Sequence, residues 1–96
     1  MLNITHIDRT ERGIIKHGTF NFSTSYTVGG EACDPKIDTL LNVIGESQDG
    51  YMLVYDYDNL KMKAYWQTGE IGNMAELTGG DISALTFRVT FLGIGA

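Results

Sequence analysis

The chain has almost no cysteine, the residue that cross-links small domains through disulfide bonds. Cys33 is the only cysteine among 96 residues, so no disulfide can form within one chain, and no grouping of cysteine and histidine has the spacing of a zinc site. A chain of this length forms about one domain. We therefore expect a single domain over residues 1–96 that is held together by packing, with no metal and no other cofactor.

Sequence motifs of common enzymes are also missing. The chain has no Gly-x-Ser-x-Gly motif, no phosphate-binding loop and no His-Glu-x-x-His motif. Cys33 could in principle act as a thiolate nucleophile with His6 or His17 as its base. A lone cysteine in a glycine-rich loop is more typical of a packing residue. We predict that the protein is not an enzyme.

Asp56, Asp58 and Asn59 form the one segment that resembles part of a calcium-binding loop. Such a loop needs glycine at its sixth position and a bidentate acid at its twelfth, whereas counting from Asp56 gives Lys61 and Gln67. The segment is therefore interpreted as a solvated hairpin tip.

Positive charge is scarce as well. Seven Lys and Arg residues stand against twelve Asp and Glu residues, which gives a formal net charge of −5. Because few, scattered basic residues release few counterions, this balance argues against a nucleic-acid partner. No stretch approaches the ~20 apolar residues that span a bilayer, and residues 1–13 lack the apolar centre of a signal peptide. We expect no membrane partner and synthesis in the cytoplasm.

What the chain does have is the alternation of apolar and polar residues that is typical of β-strands. Residues 2–8 alternate imperfectly and residues 14–23 more sharply, the latter with a bulge predicted at Gly18. Residues 85–91 show the clearest period of two, which predicts a central strand. Paired glycines and a proline predict a loop over residues 27–36, and a segment rich in Gly, Asn and Thr predicts a link over residues 68–80. Residues 37–44 are ambiguous, and a short helical turn or loop that runs into a strand is favoured.

Two runs of β-favouring residues flank a polar turn and predict a hairpin over residues 51–67. Several short strands with turns between them and no long helix predict an all-β fold. The favoured architecture is a small, mainly antiparallel, jelly-roll-like β-sandwich. A loop of two residues or of four gives the hairpin the same predicted core face, which comprises Tyr51, Leu53, Tyr55, Tyr57, Leu60, Met62, Ala64 and Trp66.

Aromatic residues are concentrated in this hairpin, where Tyr51, Tyr55, Tyr57, Tyr65 and Trp66 lie within sixteen positions of one another. Flat rings present a large contact area at low entropic cost, which suits either a sugar-binding platform or a protein interface. Four of the five share the predicted core face. A role in the core or at a subunit interface is therefore favoured over a sugar platform.

Three short motifs, in their order and spacing, resemble a group of small tailed-phage virion proteins. The first runs from Gly18-Thr19-Phe20 to the Gly-Gly-Glu loop at residues 29–31. The second runs from Gly50-Tyr51 through the Tyr-Asp-Tyr hairpin at residues 55–57 to the lysine-rich strand at residues 61–65. The third is Asp-Ile-Ser-Ala-Leu-Thr-Phe-Arg at residues 81–88. The likeness covers about residues 18–88, with a shorter segment before the third motif than many members carry and a continuation over residues 89–96.

This resemblance implies a capsid decoration, or cement, protein that is made in the host cytoplasm and lies on the capsid exterior of the virion. Members of the group are typically β-sandwiches that form homotrimers and clamp neighbouring copies of the major capsid protein. A head fibre, tail or baseplate protein is the alternative within the virion, and a carbohydrate-binding module is the alternative outside it.

Protein contacts are expected at two places in the sequence. Leu2, Ile4 and His6 lie in the N-terminal strand, and an exposed terminal strand readily adds to a neighbouring sheet. Tyr65 and Trp66 supply aromatic area at the end of the hairpin. These five residues are the predicted interaction residues.

Overall fold

The structure is a computed structural model that describes residues 1–23, 25–67 and 74–95. These residues contain no helix, and their strands form two sheets, which confirms the predicted all-β sandwich. The eight strands are β1 (Leu2–Arg9), β2 (Ile14–Phe20), β3 (Glu31–Ala32), β4 (Thr39–Gly45), β5 (Tyr51–Asp56), β6 (Lys61–Gln67), β7 (Met74–Glu76) and β8 (Phe87–Ile94).

The first sheet has the strand order β1-β2-β8-β4, and every pairing in it is antiparallel. The predicted central strand is confirmed, because β8 pairs with β2 on one side and with β4 on the other. The last strand is thus inserted between two earlier ones, and the jelly-roll-like variant of the sandwich stays a prediction. Between β2 and β4, and again between β4 and β8, the chain crosses to the second sheet and returns to the first.

The second sheet is built on the β5–β6 hairpin, in which Asp56 pairs with Lys61 across a turn of four residues. Two short strands share the other edge of β6: β3 pairs with its start and β7 with its end. Tyr26 occupies the gap between them, where its hydroxyl accepts the Ala64 N–H at 3.2 Å and donates to Glu76 Oε2 at 2.5 Å. The edge of β6 is thus covered along its length.

The core between the sheets is aromatic. The rings of Phe20 and Phe22 meet edge to face at 5.0 Å, and Tyr55 of the second sheet reaches Phe91 of the first at 6.1 Å. Edge-to-face pairs of this kind stabilise a fold by about 0.5–1.5 kcal/mol beyond the burial of their area. The largest fully buried side chains are Phe20, Phe22, Phe87, Phe91, Met62 and Cys33.

Residues 37–44 follow one of the two predicted alternatives, because a loop at residues 37–38 runs into β4, which begins at Thr39. Two other local predictions need correction. The predicted loop over residues 27–36 contains β3, since the edge of β6 offers Glu31 and Ala32 a partner. The bulge lies in β1, between Ile4 and His6, and not in β2.

Gly18 explains where that bulge forms. A Cβ atom on Gly18 would lie 2.2 Å from the backbone oxygen of Asn3, so the glycine lets β1 approach β2 more closely than any other residue allows. The extra residue of the bulge is taken up by β1 immediately after this close approach. Sequence reasoning found the glycine and assigned its consequence to the wrong strand.

The predicted core face of the hairpin is right in its middle and wrong at its ends. Leu53, Met62 and Ala64 are buried, and so is Tyr55. Of the outer members, Tyr51 is half-buried, whereas Tyr57, Leu60 and Trp66 are 47%, 39% and 44% exposed. The predicted link over residues 68–80 contains β7, because the edge of β6 offers residues 74–76 a partner, and its residues 68–73 lie outside the described residues.

Candidate interaction surface

The outer face of the first sheet carries a group of apolar side chains, which we call the outer apolar patch: Ile15, Leu41, Leu92 and Ile94. Ile15 lies directly opposite Leu92 in the β2–β8 ladder, and all four line one shallow depression of about 300 Å³. Leu41 and Ile94 are 61% and 49% exposed. Neighbouring apolar side chains at the surface mark a candidate site of contact with another molecule.

The local sequence explains why this face is apolar. A strand with one wet face alternates apolar and polar residues, whereas a strand that is buried on both faces has apolar neighbours in succession. The chain has such successive pairs at Ile14-Ile15, Leu40-Leu41 and Phe91-Leu92. A register shift between Leu40 and Asn42 places Leu41 in a bulge of β4, where it lines the depression on the outer face. Sequence reasoning looked for alternation only and therefore missed the patch.

A polar cluster lies on the same outer face, farther along β1 and β2. The rings of His6 and His17 stack at 5.9 Å, and Asp8 contacts both of them, with Oδ1 2.9 Å from Nε2 of His6 and Oδ2 3.6 Å from Nε2 of His17. Nδ1 of His17 lies 3.2 Å from the hydroxyl of Thr90. Within residues 1–23, 25–67 and 74–95, no group of three metal-ligating side chains is arranged to hold an ion.

The N-terminal interaction residues fall into two environments. Leu2 and Ile4 are half-buried and pack against the core cluster, so they attach β1 to its own sheet. His6 is exposed, as are all the residues from Thr5 to Arg12. The second half of β1 therefore presents its side chains to solvent on both faces of the sheet. Partner contacts by these three residues stay a prediction.

The two aromatic interaction residues do not form one platform. Successive residues of a strand point to opposite faces, and Tyr65 pairs with Met52 while Trp66 pairs with Tyr51. Trp66 is more exposed than Tyr65, which is half-buried. Two rings on opposite faces of a strand do not stack together on one sugar. A protein contact at either ring stays a prediction.

Cys33 lies in the core, apart from both histidines. Burial raises the pKa of its thiol to about 12, and its backbone oxygen accepts the Tyr55 hydroxyl at 2.6 Å. His6 and His17 contact Asp8 on the outer face of the first sheet. The nucleophile pair considered from the sequence is therefore not assembled.

The hairpin tip satisfies its own polar groups. The Asp56 carboxylate accepts the side-chain amide of Asn59 at 2.9 Å and the backbone N–H groups of Asp58 and Asn59 at 3.1 and 3.2 Å. These hydrogen bonds, the Asn59 side chain foremost, lower the pKa of Asp56. Lys63 lies 3.9 Å away and completes a local polar turn.

Comparison with models of known families, with curated proteins and with solved structures finds no match to this chain.

Proposed function

We propose that the protein is a capsid decoration protein of a tailed phage, which binds the outer surface of the head and bridges neighbouring major capsid proteins. The observation that carries the proposal is the outer apolar patch, which stays exposed although the core of the sandwich is closed. The sequence motifs shared with small virion proteins supply the identity of the partner.

The patch suits a permanent contact better than a transient one. Permanent interfaces bury on the order of 2,000 Å² or more and are richer in apolar side chains than transient ones. Leu41, Leu92 and Ile94 would supply apolar side chains to such an interface, and Arg12 lines the same depression. Contact at this patch would remove from water the apolar area that the monomer leaves exposed.

A homotrimer that bridges capsomers follows from the same proposal. Several modest contacts made by one rigid assembly act together, because each contact after the first forms at a high effective concentration. The exposed half of β1 is a strand edge that a neighbouring subunit or the major capsid protein would cover. The role is mechanical and involves no chemical step.

Quantitative mass spectrometry of purified phage particles tests the proposal. A decoration protein is expected in a copy number comparable to that of the major capsid protein, or in a fixed fraction of it set by capsid symmetry. A few copies per particle would instead indicate a head fibre, tail or baseplate component. Absence from mature particles would refute a virion role altogether.

A further inference from the structure

A groove at one end of the sandwich lies apart from the outer apolar patch. It has a volume of about 410 Å³, and it lies between the segment that precedes β4 and the turn that joins β5 to β6. Its size falls within the range of sites that bind small ligands or single side chains. Pro35, Leu40 and Leu60 supply apolar lining, and Tyr57, Asp34 and Asp38 supply polar atoms.

The aromatic wall of this groove is held in place. The Tyr57 hydroxyl accepts the Val43 N–H at 3.0 Å, and its ring meets Tyr55 edge to face at 5.2 Å. Tyr57 nevertheless remains 47% exposed. Because its hydroxyl is hydrogen-bonded while much of the ring is exposed, Tyr57 can stack against a flat group without losing much more side-chain conformational entropy.

The other walls are fixed by hydrogen bonds from the core. The buried Lys16 donates its ammonium protons to the backbone oxygens of Pro35 at 2.8 Å and Lys36 at 3.1 Å. Cys33 donates its N–H to the oxygen of Leu60 at 2.8 Å. Lys36 and Leu60 have φ angles of 59° and 54°, a region that side chains other than glycine adopt at a cost of about 1–3 kcal/mol.

The two carboxylates of the groove differ in what they already bind. Asp34 accepts the Lys36 N–H at 2.9 Å and lies 3.3 Å from the Lys36 ammonium. Asp38 is close to Gly95, where a Cβ atom would come within 2.7 Å of Oδ2. Within the described part of the chain, no donor or cation is paired with the Asp38 side chain. Asp38 therefore provides the open negative charge of the groove.

We infer that this groove binds an arginine side chain presented by an extended segment of a partner protein. The guanidinium would donate two hydrogen bonds to Asp38 and lie flat over the open face of Tyr57, with its aliphatic stem on Leu60. Arginine fits better than lysine because its planar fork matches a carboxylate and stacks on a ring, whereas an ammonium is a compact point charge. The chain's net charge of −5 favours the approach of a basic segment.

The inference is independent of the capsid assignment, and a peptide titration tests it. The ¹⁵N-labelled protein is titrated at low salt with acetyl-Gly-Arg-Gly-amide, and with matched peptides that carry Lys or Gln in place of Arg. The Arg peptide is expected to shift the backbone amide signals of Asp38, Thr39, Tyr57 and Leu60, and to bind more tightly than the Lys peptide. The Gln peptide is expected to leave these signals in place.

Two isosteric variants sharpen the titration. Asp38→Asn is expected to weaken binding of the Arg peptide by at least about fivefold, because it removes the charge that the guanidinium meets. Asp49→Asn is the matched control, since Asp49 lies in the turn at the other end of β5 and should leave the affinity unchanged. Unchanged amide signals outside the groove would show that both variants are folded. Equal binding by the Arg and Gln peptides, equal binding by Arg and Lys, or equal affinity of the two variants would overturn the inference.

Discussion

The two faces of the first sheet are made by the same strands and both carry apolar side chains, yet only one of them is covered by the chain itself. On the inner face Phe20, Phe87 and Phe91 are fully buried against the second sheet. On the outer face Leu41 and Ile94 are about half exposed or more. Phe91 and Leu92 are neighbours in the sequence and belong to opposite sides of this division.

This difference separates the residues that fold the chain from those that remain available for assembly. A closed aromatic core stabilises the isolated domain, because its area leaves water when the sheets pack. Leu41 and Ile94 of the outer apolar patch contribute little to that stability, since their side chains stay in contact with water. Burial of this patch becomes favourable only when a second molecule removes its apolar side chains from water.

The largest expected effect is on the free energy of unfolding, and it distinguishes two neighbouring residues that lie on opposite faces of the first sheet. Phe91→Ala should lower the free energy of unfolding by about 3–5 kcal/mol, because it leaves a cavity where Phe91 meets Tyr55. Leu92→Ala, one residue along on the outer face, should lower it by less, about 1 kcal/mol, because the Leu92 side chain is only half-buried. Urea denaturation measures both. Equal losses would show that the monomer uses the two faces alike.

An intermediate effect on stability is expected from Glu76, whose hydrogen bonds lie along the edge of β6. Glu76 accepts hydrogen bonds from the Tyr26 hydroxyl and, at 2.7 Å, from the Gly29 N–H. The Tyr26 hydroxyl is the main cause that lowers the pKa of Glu76. The unfolded chain therefore binds this proton more tightly, so the stabilisation is present above the ordinary glutamate pKa of about 4.3 and is lost as pH falls below it.

Denaturation at two pH values tests that contact. Glu76→Gln should destabilise the protein at pH 7 by on the order of 1 kcal/mol, and the difference from wild type should shrink towards pH 3. Glu11→Gln, in the exposed turn after β1, is the control and should follow wild type at both values. A Glu76→Gln deficit that is the same at pH 7 and pH 3 would contradict the role of the ionised carboxylate.

The smallest effect on stability should accompany the largest effect on assembly. Leu41→Ser is expected to change the free energy of unfolding by no more than about 0.5 kcal/mol, because the side chain is already largely solvated. The same variant should fail to bind phage particles that lack the wild-type protein. Val28→Ser, in an exposed loop outside the outer apolar patch, is the matched control and should bind normally.

The sequence was sufficient to predict the fold class, the central position of β8 and the buried middle of the hairpin, because each depends on a local period of two. It did not predict β3, since two residues form a strand only where a neighbouring edge receives them. The bulges at Thr5 and Leu41 depend on how β1 and β4 meet their neighbours, which no local pattern contains.

Local sequence patterns could not predict most of the candidate interaction surface either. The successive apolar pairs at Ile14-Ile15 and Phe91-Leu92 were visible in the sequence, and they indicate strands with two apolar faces. That Ile15, Leu41 and Leu92 converge depends on the strand order β2-β8-β4, which joins distant parts of the chain. The groove at Asp38 likewise joins two segments that are separated by most of β4 and β5.

Oxidative footprinting of the protein, free and on purified phage particles, tests the assembly role of the outer apolar patch most directly. Hydroxyl radicals label exposed side chains, and Met52, on the outer face of the second sheet, serves as the internal reference. We predict that labelling of Leu41 and Ile94 falls several-fold on the particle relative to Met52. Labelling of Leu41 and Ile94 that is as strong on the particle as in free solution would contradict the proposal that this face binds the capsid.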